Sequence, residues 1–242
     1  MIQKMRNKSI SILFVFIPFV FIFLLPIDND RELETYSILI IDNGIELEID
    51  NTIAFGEHEW RILEIQDGMA LVISENIITH RAYHDSEHID RQKRQLETTW
   101  ERSMIRYWLN DELLNSFTIS DKARIVEKRV VNNHNAWFGT SGGNDTYDRI
   151  FLLSLEEAVQ YFGDSGQLLN RPDRWWINDE YNTARMARDS YGNLSWWWLR
   201  CTGDYSIYAA RVNADGGIHL HGTIVNDSTG GIRPALWLNL EY

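Results

Sequence analysis

The chain has one cysteine in 242 residues, Cys201, so an internal disulfide framework and a zinc knuckle built on several thiolates are both excluded. Positive charge is also scarce: 23 Lys and Arg stand against 35 Asp and Glu, a net of −12. A bulk nucleic-acid binder needs a basic stripe, and this balance argues against one. No Gly-x-Ser-x-Gly elbow, phosphate loop or dinucleotide fingerprint occurs, and no repeat of fixed period. Long apolar runs are absent except for one. What is abundant is tryptophan: ten residues, all between Trp60 and Trp237. With 44% hydrophobic and 24% charged residues, the composition is that of a folded domain.

The one long run lies near the start. From Ile10 to Ile27 the chain reads ISILFVFIPFVFIFLLPI, without charge, behind Lys4, Arg6 and Lys8. As a helix it would be about 27 Å long, close to the roughly 30 Å of a hydrocarbon core. Basic residues before the span place the N-terminus inside and the remainder outside the membrane. No small-x-small cleavage site follows, so the run reads as a single-pass signal anchor, with a cleaved signal peptide and a secreted product as the alternative. Without Lys4, Arg6 and Lys8, twenty basic residues face 35 acidic ones, a net of −15 for the extracytoplasmic part. The expected division is 1–27 cytoplasmic tip and anchor, 28–50 spacer and β-hairpin, and 51–242 a single domain.

Period-two runs on either side of Asp42-Asn43-Gly44 and of Gln66-Asp67-Gly68 predict two hairpins. Trp100, Met104, Trp108, Leu109, Leu113 and Phe117 recur at helical spacing behind Thr98 or Thr99. Ser154 with Glu157 forms a capping box for a helix over Leu155 to Phe162, ended by Gly163. Beyond Leu194 every run is strand-like. Helices mixed with antiparallel strands in this order predict an α+β domain. Two long segments rich in turn formers, 132–148 and 163–182, interrupt it.

Several motifs resemble those of a bacterial family of unknown function. They are Phe55-Gly56 with Glu59-Trp60-Arg61, Trp108-Leu109-Asn110, Gly142-Gly143-Asn144-Asp145-Thr146, Ile150 to Ser154, Trp197-Trp198-Leu199-Arg200 and Gly230 to Leu238. The resemblance covers about 55–240. That family is similar in layout to the C-type-lectin fold in its formylglycine-generating-enzyme branch, which also includes the variable proteins of diversity-generating retroelements. It implies a fixed scaffold that binds ligands near its C-terminal end. The family's Ser-Pro after Leu-Arg is Cys201-Thr202 here. Formylglycine-generating chemistry uses a cysteine pair with copper, and one cysteine cannot supply that pair, so no such cofactor is expected.

Three chemistries remain to be weighed. Asn144, Asp145 and Asp148 could offer oxygens to a structural calcium, or could simply bond their own backbone as an Asx-type turn. Adjacent carboxylates such as Glu156-Glu157 or Asp179-Glu180 do not face each other and make no natural acid/base couple. Finally, Arg211 and Asn213 alternate with Ala210 and Val212, and His219, His221 and Thr223 with Ile218, Leu220 and Gly222, so one sheet face is polar. Tyr205 and Tyr208 precede it, and Asn226 and Asp227 follow. These eight residues (Tyr205, Tyr208, Arg211, Asn213, His219, His221, Asn226 and Asp227) are the candidate contacts for a protein or glycan ligand. The expected function is extracytoplasmic recognition rather than catalysis. An enzyme acting on cell-envelope material through a cleft in the long loops, or a structural surface module, are the alternatives.

Overall fold

The computed structural model describes residues 52–84, 98–172 and 174–240 in full, and 21–26, 36–42 and 45–49 as backbone. The chain divides into two units, Met1–Ile53 and Ala54–Tyr242.

In the first unit Tyr36–Asp42 pairs antiparallel with Ile45–Ile49, as the Asn-Gly signal predicts, and with Phe21–Pro26 on its other side. The helix expected from Ile10 to Ile27 is therefore replaced by strand over Phe21–Pro26, while 10–20 and 27 lie outside the described residues. Aromatic and branched side chains at Phe21, Ile22 and Phe23 suit extended chain, and Pro26 is tolerated because its strand is at the sheet's edge. Among the described residues no helix is long and apolar enough to cross a membrane.

The second unit is mixed α+β and mostly β. Its first sheet runs Ile150–Phe151, Ala235–Asn239, Met69–Ser74, His58–Gln66 and Thr52–Phe55, with Ile125–Val126 also paired to Ala235–Asn239. Asp67 and Gly68 turn the central hairpin with φ of 51° and 71°, the mirror-image turn that suits twisted strands. A bulge between Ile62 and Glu64 explains why the alternation over this strand is imperfect in the sequence. The second sheet runs Trp176–Ile177, Ile218–Ile224, Tyr208–Val212, Trp197–Thr202, Gly231–Ile232 and Thr79–His80. The run Ile232 to Asn239, which reads as one strand, is split by Pro234. Its first part stays in the second sheet, and Ala235–Asn239 crosses into the first.

The helical stretch after Trp100 differs in phase from its prediction. Ser103, not Thr98 or Thr99, caps Met104–Trp108 by accepting the Arg106 N–H, and a π-helical turn follows at Leu109–Leu113. The break at Ser103 resets the face, so Ile105 is buried and Met104 exposed. The capping box of Leu155–Phe162 forms as expected. Its Glu157 also receives two bonds from Arg200, whose guanidinium donates further to the carbonyls of Leu152 (2.8 Å) and Val131 (3.0 Å). Arg200 is 3% exposed, a buried cation made tolerable by these partners. Arg233 is fully buried as well. It donates Nε–H to the Ser74 carbonyl and lies over the rings of Phe162 (5.3 Å) and Trp197 (5.2 Å). Burial pushes it down to about 9, which leaves it cationic at neutral pH.

Trp197 faces this interior while Trp196 and Trp198 meet on the other side, ring centroids 4.7 Å apart, as strand alternation requires. Cys201 is buried and its Sγ accepts the Leu155 N–H. Burial, reinforced by Glu156, pushes the thiol up to about 12, so it packs as a small apolar group rather than reacting as a thiolate.

Candidate ligand-binding face

The outward row of the second sheet follows from its register. Trp176 pairs with His219, and His219 with Arg211. His221 lies two residues along the same strand, its ring 5.7 Å from that of His219. Around His221 the rings close in: Trp175 stacks at 4.9 Å and 22°, Tyr208 lies at 5.4 Å, and Phe138 meets it edge-on at 6.4 Å. Tyr205 adjoins Tyr208 at 6.3 Å, and the Arg211 guanidinium sits 4.7 Å from the Trp196 ring. Trp175 and Tyr205 are both more than half exposed, an unusual state for rings in such a cluster.

Both long loops build this face. Asn135, 2% exposed, donates from Nδ2 to the carbonyls of Thr202 (2.8 Å) and Leu220 (3.0 Å). Its Oδ1 accepts the N–H groups of Trp137 and Phe138, which seats Phe138 over the strands. Trp137 Nε1 donates to the Leu168 carbonyl at 2.9 Å, tying the loop to its neighbour. Arg171 lies 4.8 Å from the Phe138 ring and donates to the Trp137 carbonyl. At the far end Gly203 lets the chain turn tightly. A Cβ there would lie 2.2 Å from the His221 carbonyl oxygen, and that close approach brings Asp204 to His221. Asp204 Oδ2 stands 2.7 Å from His221 Nδ1.

Electrostatics on the face are set by burial. His219 is pushed down to about 4 by burial, then by Arg211 and His221, so it is neutral at neutral pH. Burial raises Asp204, an effect opposed by His221. The depressed His219 has a direct consequence. The unfolded chain takes up a proton near pH 6.5 and the folded chain does not until about 4, so stability is lost as pH falls across that interval. The melting temperature is expected to decline between pH 6.5 and 4, and to decline less in His219→Gln.

Of the eight predicted residues, five meet in this cluster: Tyr205, Tyr208, Arg211, His219 and His221. Asn213 closes the hairpin at its edge, its N–H bonded to the Gly217 carbonyl. Asp227 shapes a turn by accepting from Thr229. Asn226 belongs elsewhere, in a cavity of about 670 Å³ with Arg81, Tyr107, Trp108 and Ser228. Trp175, Trp176, Phe138 and Asp204 are the members that sequence reasoning missed.

Residues 67–240 match a family described as a domain of unknown function, DUF6273. The chain belongs to the DUF6273 family. No curated protein and no solved structure matches it. Every residue of the ring cluster falls inside the DUF6273 span.

The DUF6273 domain uses its Asn-Asp turn as a clamp. Asp148 accepts from Trp100 Nε1 (2.9 Å), Thr146 Oγ1 (2.6 Å) and Arg106 Nε (2.7 Å). Asp145 accepts from the Asn132 N–H and from Arg129, which hold its carboxyl below the usual range. Asn144 points its amide at Glu101. Nitrogen and hydroxyl donors thus bond both carboxylates, and Asn144, Asp145 and Asp148 tie this turn to the helical stretch and to the neighbouring strand. Among the described residues no cluster of three or more His, Cys, Asp or Glu could hold a metal.

Proposed function

We propose that this DUF6273 domain is an extracytoplasmic recognition domain whose protein or glycan ligand lies across the ring cluster of the second sheet. The observation that carries this reading is Trp175, stacked on His221 yet 55% exposed. A large ring left open beside Tyr205, Tyr208 and Trp176 offers flat apolar area with polar edges, which suits the C–H faces of a sugar or an aromatic side chain. The charged N-terminal flank and the acidic exterior support the topology. The sequence motifs support the finer fold assignment, a C-type-lectin type domain of the formylglycine-generating-enzyme branch. Capture of cell-wall glycans and surface protein fractions by the immobilised protein tests the reading. Trp175→Ala with Tyr208→Ala is expected to weaken capture at least about tenfold, since each ring contributes on the order of 1 kcal/mol beyond its area. Undiminished capture by that double variant would remove the face from consideration.

A further inference from the structure

The Asp204–His221 pair has a chemistry that stacking alone does not use. A carboxylate only accepts, so Nδ1 carries the hydrogen of the 2.7 Å contact, and in the neutral imidazole Nε2 keeps its lone pair. No described residue hydrogen-bonds Nε2, and the His221 side chain is about a quarter exposed, 26%. An imidazole fixed in one tautomer by a carboxylate, open at its other nitrogen and walled by rings, is the arrangement of a general base. We propose that this face hydrolyses an acyl ester carried on a saccharide, with His221 as the catalytic base and Asp204 as its positioning residue.

The inference rests on the ligand-binding reading of the same face. Water is the only co-reactant. His221 Nε2 takes a proton from the water as its oxygen bonds to the acyl carbon. The tetrahedral intermediate then breaks its carbon–oxygen bond to the sugar, and the proton passes from His221 to the departing sugar oxygen. The products are a free hydroxyl and a carboxylic acid, with no change in oxidation state. Arg211, across the ladder from His219, brings a fixed positive charge to the face for the oxyanion. Groups facing His221 from its neighbours are Asp204 from the turn, His219 and Arg211 from the sheet, and Tyr208; Arg171 joins from the loop over Phe138.

An ester fits better than a glycosidic bond. Glycoside cleavage requires two carboxyl groups set across the bond. Here Asp204 is held by His221 and Asp227 by Thr229.

The test is acetate release by the full chain from O-acetylated xylan and O-acetylated peptidoglycan, beside capture of the same polymers after chemical deacetylation. Expected is acetate release, with kcat falling at least about 100-fold in both His221→Ala and His221→Gln. Asp204→Asn is expected to lower kcat with KM unchanged, because the imidazole loses the partner that orients it; a merely structural role would lower the melting temperature and leave kcat in place. Capture without acetate release overturns the hydrolysis and leaves the binding reading standing. Release that survives both His221 variants overturns the assignment of the base. Absence of both capture and release overturns the two together.

Discussion

Glu157→Ala is expected to cost about 3–5 kcal/mol of unfolding free energy, read from the shift of the denaturant midpoint at unchanged slope. The magnitude follows from what the side chain holds. Glu157 receives the Ser154 N–H at 2.8 Å as half of the capping box and pairs with Arg200 through both oxygens. Truncation leaves a guanidinium that is 3% exposed without its counter-charge. Breaking one side of such a pair costs more than removing both. Glu157→Leu combined with Arg200→Met is therefore expected to recover a large part of the loss, although the carbonyls of Leu152 and Val131 lose their donors. A loss under about 1 kcal/mol for Glu157→Ala would mean that the pair behaves as a surface contact.

Asp148→Ala is expected to be of similar size, about 3–5 kcal/mol. Its carboxylate is 1% exposed and joins three elements: the turn at Trp100, the helix carrying Arg106 and the strand Thr146–Asp148. Its removal strands a buried indole N–H and an arginine together. The same measurement separates a clamp from a cation site. A bound ion would raise the melting temperature of the wild type with concentration. Millimolar calcium is expected to leave it unchanged, and a concentration-dependent rise would restore the ion reading.

Sequence carried much of the local structure because the determinants were local. Ser154 with Glu157, Asp67 with Gly68, and the alternation of His219 and His221 each act within a few residues. The face was partly legible for the same reason: period two identifies which side chains leave a strand together. Its remaining members sit in loops without a period. Nothing near Trp175 announces that it stacks on His221. Phe138 reaches the sheet only because Asn135 bonds carbonyls 67 and 85 positions away. The turn at Asn144 to Asp148 shows the converse. Oxygen-rich spacing is the same whether a cation or an arginine meets it, and Arg106, 42 positions from Asp148, is a partner that local spacing does not announce.

The crossing at Pro234 has a consequence for how the chain comes to be folded. Ala235–Asn239 lies between Met69–Ser74 and Ile150–Phe151, and Arg233 bonds a carbonyl 159 positions earlier. The first sheet thus stays open, with Met69–Ser74 paired on one side alone, until residue 239 has been synthesised. Contacts so distant along the chain delay collapse. A polypeptide that cannot close early keeps its apolar strands unpaired until synthesis is nearly complete.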